Sequence, residues 1–262
     1  MPVVGAGVDV VAAAVGQRAI GALCRRSLRR DAVLTIEGLE HLPPSGPTML
    51  VARHVHHLFD GCALWTTLPR PFRILVAVDW AEQGPTRRLL DWGCRTMGWP
   101  TVLRADAPAG PAATDAARLL QRATKETVAL LRAGEAVLVF PEGYPTIDPN
   151  PAPRRGLDEM LPFRPGFARL AALAEKDGRT RVAVVPIGFA YAGGPPWVIA
   201  ARLGEPLRLG EGERPEAFAA RVEGRVRRLS GLRPGTAARP GSGDGRTRRP
   251  PSASPAACDR SG

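Results

Sequence analysis

Hydrophobic positions along the chain fall into short β-rich runs that alternate with longer stretches of helical periodicity. Seven runs of apolar and β-branched residues predict strands at 33–38, 48–53, 72–78, 101–104, 136–140, 182–191 and 197–204. Helices are predicted at 8–29, 60–68, 80–96, 114–133, 165–176 and 214–229. The alternation predicts an α/β fold, a three-layer sandwich in which helices flank a mostly parallel (mixed) seven-stranded sheet.

The length of 262 residues suits one principal domain, and composition divides the chain into three parts. Residues 231–262 are rich in Gly, Pro, Ser, Ala and Arg with almost no large apolar side chains, so we predict a disordered tail there. Residues 31–230 form the expected α/β domain. Residues 1–30 form an N-terminal amphipathic helix that carries several arginines, a pattern that fits both packing on the core and lying on an anionic membrane.

Charge and cysteine usage narrow the class of partner. The chain has 36 Lys+Arg against 25 Asp+Glu, a net charge of +11, which favours an anionic partner: nucleic acid, anionic lipid or a phosphorylated substrate. With 44% hydrophobic and 23% charged residues, wholesale disorder and a polytopic membrane protein are excluded. The four cysteines are scattered without CxxC spacing, which indicates a reducing compartment and neither a zinc knuckle nor a disulfide framework.

A histidine cluster follows the strand predicted at 48–53. His54, His56 and His57 are three of the four histidines in the chain, and they come just before a helix that begins near Asp60. Strand ends in open α/β sheets are where such folds place their sites. An imidazole held by a carboxylate can remove a proton from a hydroxyl near neutral pH. The cluster therefore predicts a catalytic or ligand role for at least one of the three.

A second signal is the sequence FPEGYP at 140–145, which follows the strand predicted at 136–140. Glu142 and Gly143 stand where the chain must turn, and glycine permits close approach of the backbone to a ligand. Pro and Gly are common in ordinary turns, so this segment gains its meaning from the histidine cluster beside it.

Together these segments resemble the PlsC-like lysophospholipid acyltransferases, the family of glycerolphosphate and acylglycerolphosphate acyltransferases, over residues 33 to 210. Four blocks appear in the family's order. They are VARH followed by Asp60, GWPTVLR from Gly98 to Arg104, FPEG from Phe140 to Gly143, and the apolar strand VAVVPIGF around Pro186.

The resemblance implies direct transfer of an acyl group from acyl-CoA or acyl carrier protein to a lipid acceptor, in phospholipid biosynthesis and without a cofactor or metal. His54 would be the general base, oriented by Asp60, with His56 and His57 as alternative bases. The acceptor's polar head would be bound by Arg53, Arg104, Glu142 and Gly143. We then expect a cytoplasmic protein, peripheral on the inner face of the cell membrane, with an anionic membrane surface and no nucleic acid as partner.

The chain departs from the family pattern at two places. Five residues separate His54 from Asp60 where the family has four, and Arg53 replaces the usual asparagine. His54 is preferred because VARH aligns with the end of the family's strand. Tyr144 and Pro145 replace a Thr-Arg pair whose arginine helps to hold the acceptor phosphate in the family. The acceptor is therefore open among a lysophospholipid, a glycolipid and another membrane-soluble alcohol.

Three other interpretations stay open at this point. The histidine cluster is also compatible with a metal-dependent hydrolase, although only His41 remains to supply a further histidine ligand. The irregular spacing from His54 to Asp60 is compatible with a catalytically silent lipid-binding protein. The positive charge fits a basic nucleic-acid-binding protein, although no recognisable binding module accompanies it.

Overall fold

The computed structural model describes residues 4–79, 84–103, 111–148, 153 and 156–233. The helices are α1 Val4–Asp31, α2 Phe59–Thr67, α3 Pro85–Met97, α4 Pro111–Arg132, α5 Gly166–Glu175 and α6 Pro215–Leu229. The strands are β1 Ala32–Glu37, β2 Thr48–Ala52, β3 Phe72–Ile74, β4 Val76–Ala77, β5 Thr101–Val102, β6 Ala136–Val139, β7 Ala183–Gly193 and β8 Trp197–Leu203. The predicted alternation of strands and helices is confirmed. Most of the predicted tail, from residue 234 onward, lies outside the described residues.

The main sheet has six strands in the order β1-β8-β7-β2-β6-β3. All neighbouring pairs are parallel except β7 and β8, which form an antiparallel hairpin. The sheet is therefore mixed and mostly parallel, as predicted.

The predicted single sheet of seven strands is wrong in one respect. The run at 72–78 divides at Leu75, whose N–H donates to the carbonyl of Leu138 in β6 at 3.0 Å, while the N–H of Val76 donates to the carbonyl of Pro100 at 2.9 Å. After Leu75 the chain has changed partners, and β4 pairs with β5 in a separate two-stranded sheet. Hydrophobicity marks both segments as strands but does not encode which neighbour each one pairs with.

Helices cover both faces of the main sheet. Alternate residues of β2 show this, because Leu50 packs in one core with α1 and α2, whereas Met49 packs in a second core with α4, α5 and α6. Both residues are fully buried. Parallel strands covered on two faces carry nearly continuous apolar runs, which is the pattern of β2, β6 and β7. The three-layer arrangement is thus confirmed.

The topology brings two loops to one edge of the sheet. Strand β2 lies between β6 and β7 and is parallel to both, so the carboxyl ends of all three strands meet there. The chain leaves β2 through the histidine cluster and leaves β6 through the FPEG turn. Strand β7 runs past the end of β2, since Ala52, the last residue of β2, pairs with Ile187 and β7 continues to Gly193.

Among the described residues, α1 is the longest helix, and none of the helices there combines the length and apolar character needed to cross a bilayer.

Candidate active site

Asp60, in the first turn of α2, is a buried carboxylate at this edge of the sheet. The side chain is fully buried, and its carboxylate accepts four hydrogen bonds. The backbone N–H groups of Val55 and His56 donate to Oδ2 at 2.6 and 3.0 Å, and the hydroxyl of Tyr191 donates to Oδ1 at 2.6 Å. The fourth donor is the ring of His54. Such donors stabilise the charged form of a buried carboxylate, whose desolvation would otherwise be costly.

His54 directs its Nδ1 to Oδ2 of Asp60 at 3.0 Å. Because a carboxylate only accepts, Nδ1 carries the proton and the basic lone pair is on Nε2. The imidazole stacks on the ring of Phe140, with centroids 4.1 Å apart and planes 18° apart, and its side chain is 16% exposed. A ring held on one edge by Asp60 and on one face by Phe140 has a defined direction, so this geometry can accept a proton from a hydroxyl placed at Nε2.

The loop between His54 and Asp60 accommodates its five intervening residues without separating the pair. After Val55 the chain bends, so that two successive backbone N–H groups point inward at the carboxylate. The next residues turn outward, and His57 and Leu58 are exposed before α2 begins at Phe59. With five intervening residues, the loop therefore keeps the ring of His54 within hydrogen-bond distance of Asp60.

The two alternative bases lie in different surroundings. Nδ1 of His56 accepts the N–H groups of Leu58 and Phe59 at 3.2 and 3.4 Å, at the start of α2. Burial, followed by the charge of His57, lowers the pKa of His56 to about 4, so its imidazole is neutral at pH 7. His57 is exposed and donates from Nδ1 to the carbonyl of Ile147 at 3.2 Å. His54 is the member of the cluster whose ring bonds to the buried carboxylate of Asp60.

Glu142 holds the histidine loop in place. Its carboxylate, on a residue only 1% exposed, accepts the backbone N–H of His54 at 2.7 Å and that of Leu161 at 2.8 Å. The loops are joined further by the N–H groups of Thr146 and Ile147, which donate to the carbonyls of His54 and Val55. The expectation that Glu142 binds the acceptor is therefore corrected, because both carboxylate oxygens face backbone donors inside the protein.

Arg53 is also placed differently from the sequence expectation. The residue is 1% exposed, and its guanidinium donates to three backbone carbonyls, those of Phe189 at 2.9 Å, Leu157 at 2.5 Å and Glu159 at 2.8 Å. These carbonyls belong to β7 and to the segment before α5. A guanidinium used in this way ties three segments together and is not presented to a phosphate. The expectation that Arg53 binds the acceptor's polar head is thus corrected.

Gly143 occupies the turn as expected, with a φ of 80° that L-amino acids with side chains rarely adopt. A β-carbon at this position would lie 3.6 Å from Cζ of Arg164, so that guanidinium packs over the glycine backbone. Arg164 comes from the segment PFRPG after the turn, and its backbone N–H donates to the carbonyl of Pro141 at 3.1 Å. Arg104, the other predicted ligand of the acceptor, lies outside the described residues.

Tyr191 is the residue of this site that sequence reasoning missed. It belongs to β7, and its ring continues the apolar stripe formed by Val185, Ile187 and Phe189. Within such a stripe an aromatic residue looks like part of the core. One signal was present, because a tyrosine at the carboxyl end of a buried strand brings a hydroxyl that needs a partner.

The described residues contain no group of three or more His, Cys, Asp or Glu side chains arranged to hold a metal ion. In the histidine cluster, each Nδ1 atom already faces a protein group: Asp60 for His54, backbone N–H groups for His56 and a carbonyl for His57.

Comparisons with known proteins give a family match and a similarity of fold. A family model described as Acyltransferase matches residues 33–190. The fold is similar to a crystal structure of the 1-acyl-sn-glycerophosphate (LPA) acyltransferase PlsC from Thermotoga maritima, with a TM-score of 0.51, 19% sequence identity, and coverage of 81% of this chain and 77% of that one. No curated protein sequence matches the chain.

Proposed function

The chain belongs to the acyltransferase family, and from that premise we propose that it moves a fatty acyl group from an acyl thioester to a hydroxyl of a lysophospholipid or related lipid acceptor. The observation that carries this proposal is the hydrogen bond between Nδ1 of His54 and Asp60. The Asp60 carboxylate is buried and accepts four hydrogen bonds in all. The donor in this proposal is acyl-CoA or acyl carrier protein, and the reaction uses no cofactor or metal.

In the proposed reaction His54 is the general base. Its Nε2 takes the proton from the acceptor hydroxyl while Asp60 stabilises the imidazolium that forms. The acceptor oxygen attacks the thioester carbonyl, a C–O bond forms, and the carbonyl oxygen carries the negative charge of a tetrahedral intermediate. When that intermediate collapses, the C–S bond breaks and the imidazolium returns its proton to the departing thiolate. The products are the new ester and a free thiol, and His54 is again neutral.

The acceptor's polar head is proposed to lie beside the FPEG turn. Arg164 supports this placement, because its guanidinium packs over Gly143 and belongs to a half-buried side chain. A guanidinium recognises phosphate oxygens with two parallel hydrogen bonds. Arg164 thus offers a cation next to the position where Pro145 replaces the family's arginine. A lysophospholipid acceptor is favoured on this ground over an uncharged alcohol.

The membrane surface is the proposed partner. Leu23 of α1 and Leu89 and Trp92 of α3 are more than half exposed, and the two helices pack against each other. Exposed arginines accompany these apolar side chains on both helices: Arg25, Arg26, Arg29, Arg30, Arg88 and Arg95. Apolar side chains that are flanked by cations suit the interface of a bilayer with anionic headgroups. We place the protein at the cytoplasmic face of the cell membrane, held peripherally.

The test is thiol release from palmitoyl-CoA and from palmitoyl-acyl carrier protein, measured with and without anionic vesicles. The acceptors are lysophosphatidate and a panel of uncharged hydroxylated lipids. His54→Ala is expected to lower kcat by about 10²–10⁴-fold, the usual contribution of a general base. His41→Ala is the matched control, because His41 lies in the 3-10 turn after β1, and it should retain wild-type activity. His57→Ala tests the alternative base.

Acceptor-dependent thiol release that is lost in His54→Ala and kept in His57→Ala would support the proposal. No release with any acceptor, from either a CoA or a carrier-protein donor, would overturn it. Release that survives in His54→Ala would overturn the assignment of the base while leaving the reaction class intact.

A further inference from the structure

We propose that Tyr191 is a positioning residue that sets the basicity of the His54–Asp60 pair through its hydroxyl. The inference rests on the proposed function, since it concerns the same pair. Tyr191 donates to Oδ1 of Asp60 at 2.6 Å, and this is the one side-chain donor to that oxygen among the described residues. The other three donors all go to Oδ2.

The position of Tyr191 in the sheet brings its hydroxyl to Asp60. Ala52 ends β2 opposite Ile187, and Tyr191 is four residues further along β7, roughly 13 Å past that point at the usual rise of a strand. This part of β7, beyond the end of β2, lies next to the histidine loop. The ring is 8% exposed and is fixed by neighbours, with centroids 6.3 Å from Phe189 and 6.0 Å from Trp197. A hydroxyl on so well packed a ring has little freedom to leave Asp60.

The hydroxyl remains a donor over the whole working range of pH. Burial and the negative charge of Asp60 raise the pKa of Tyr191 far above its ordinary value, because both disfavour a phenolate at this position. Removal of the hydroxyl would concentrate the charge of the carboxylate on Oδ2, where His54 is bound. The carboxylate would stay charged, since it keeps three donors. It would then stabilise the imidazolium more strongly.

Other titratable and charged groups surround the pair from three elements. They are Arg53, His56 and His57 in the histidine loop, Cys62 in α2, and Glu142 and Asp148 in the segment after β6. None of these groups is changed by removing the Tyr191 oxygen. A shift in the titration of His54 in such a variant would therefore report the Tyr191 contact.

The experiment is an NMR titration of the histidine ring protons in the full chain, wild type against Tyr191→Phe. We expect the midpoint of the His54 titration to move to higher pH by about half a unit to one unit, a three- to tenfold change in proton affinity. The acid limb of the kcat/KM profile should move by the same amount, so kcat/KM measured at a fixed pH on that limb should fall three- to tenfold. The control is Thr127→Val, which removes a fully buried hydroxyl from α4 and should leave both profiles at wild type.

An unmoved or lowered His54 midpoint in folded Tyr191→Phe would overturn the proposal. A second measurement covers the case in which that variant does not fold. The chain has two tyrosines, so 3-fluorotyrosine labelling of Tyr144→Phe modifies Tyr191 alone. The more acidic fluorophenol is a stronger donor, and we expect it to move the His54 midpoint to lower pH relative to unlabelled Tyr144→Phe; a shift upward, or none, would also overturn the proposal.

The NMR titration needs no catalysis, so its outcome is separate from that of the proposed function. A protein that transfers no acyl group but shows the expected His54 shifts would refute the function and leave the Tyr191 coupling standing. A protein that is active but shows no shift would do the reverse.

Discussion

Replacement of Arg53 distinguishes a buried structural clamp from a phosphate ligand. The guanidinium donates to the carbonyls of Phe189, Leu157 and Glu159 and is almost fully buried. Arg53→Met removes all three hydrogen bonds and leaves three carbonyls without that donor in a protein interior. Arg53→Lys keeps the charge, but one ammonium on a flexible stem cannot reproduce a planar fork that reaches two separate segments.

The magnitude follows from the number and kind of bonds. A hydrogen bond from a charged donor contributes about 1.5–3 kcal/mol, and the desolvation cost of the guanidinium, which disappears with it, offsets part of the sum. The net loss of unfolding free energy in Arg53→Met is therefore expected to be about 3–5 kcal/mol. For a domain of this size, that loss lowers the thermal midpoint by roughly 10 °C. Arg53→Lys should lose about half as much free energy, because the ammonium can still meet one or two carbonyls.

Urea unfolding followed by circular dichroism measures the free energy of unfolding. Thiol release with two acceptors measures the KM for each acceptor. If Arg53 is a clamp, the KM values for lysophosphatidate and for an uncharged acceptor should change together. Arg181→Met, which removes an exposed arginine, is the matched control and should unfold at the wild-type urea concentration. The clamp would be refuted by wild-type stability in both variants together with a KM that rises tenfold or more for lysophosphatidate alone.

Two further predictions test the loops around the pair. Glu142→Gln replaces a carboxylate that accepts two backbone N–H groups. In steady-state kinetics we expect kcat to fall about tenfold to a hundredfold while acceptor KM stays within twofold. A selective rise in KM would instead indicate contact with the acceptor. His56 has a pKa lowered to about 4 in the folded protein, so the unfolded chain binds more protons between pH 6.5 and 4, and folding stability should fall across that window by at most about 3 kcal/mol. Urea unfolding at several pH values should show this loss in the wild type and a smaller one in His56→Gln; an identical pH dependence in the two proteins would contradict the reasoning.

Much of the architecture could be predicted from the order of apolar and polar residues. Six predicted helices and seven predicted strand runs correspond to observed elements, because periodicity records which face of each element is buried. The pairing of His54 with Asp60 was also predictable, since both residues lie in one short loop and their separation is a local property. The loop reaches from one residue to the other through an exposed bend at His57 and Leu58.

Tertiary structure alone decided the roles of side chains whose partners are distant in sequence. Arg53 and Phe189 are 136 residues apart, and Tyr191 and Asp60 are 131 residues apart. The residues of each pair come into contact because β2 and β7 are neighbours in the sheet. Hydrophobic periodicity carries no information about strand order. The same limit explains the change of partner at Leu75. Whether a charged or hydroxyl group meets a ligand or the protein's own backbone therefore depends on which strands lie side by side, and only the folded chain determines that.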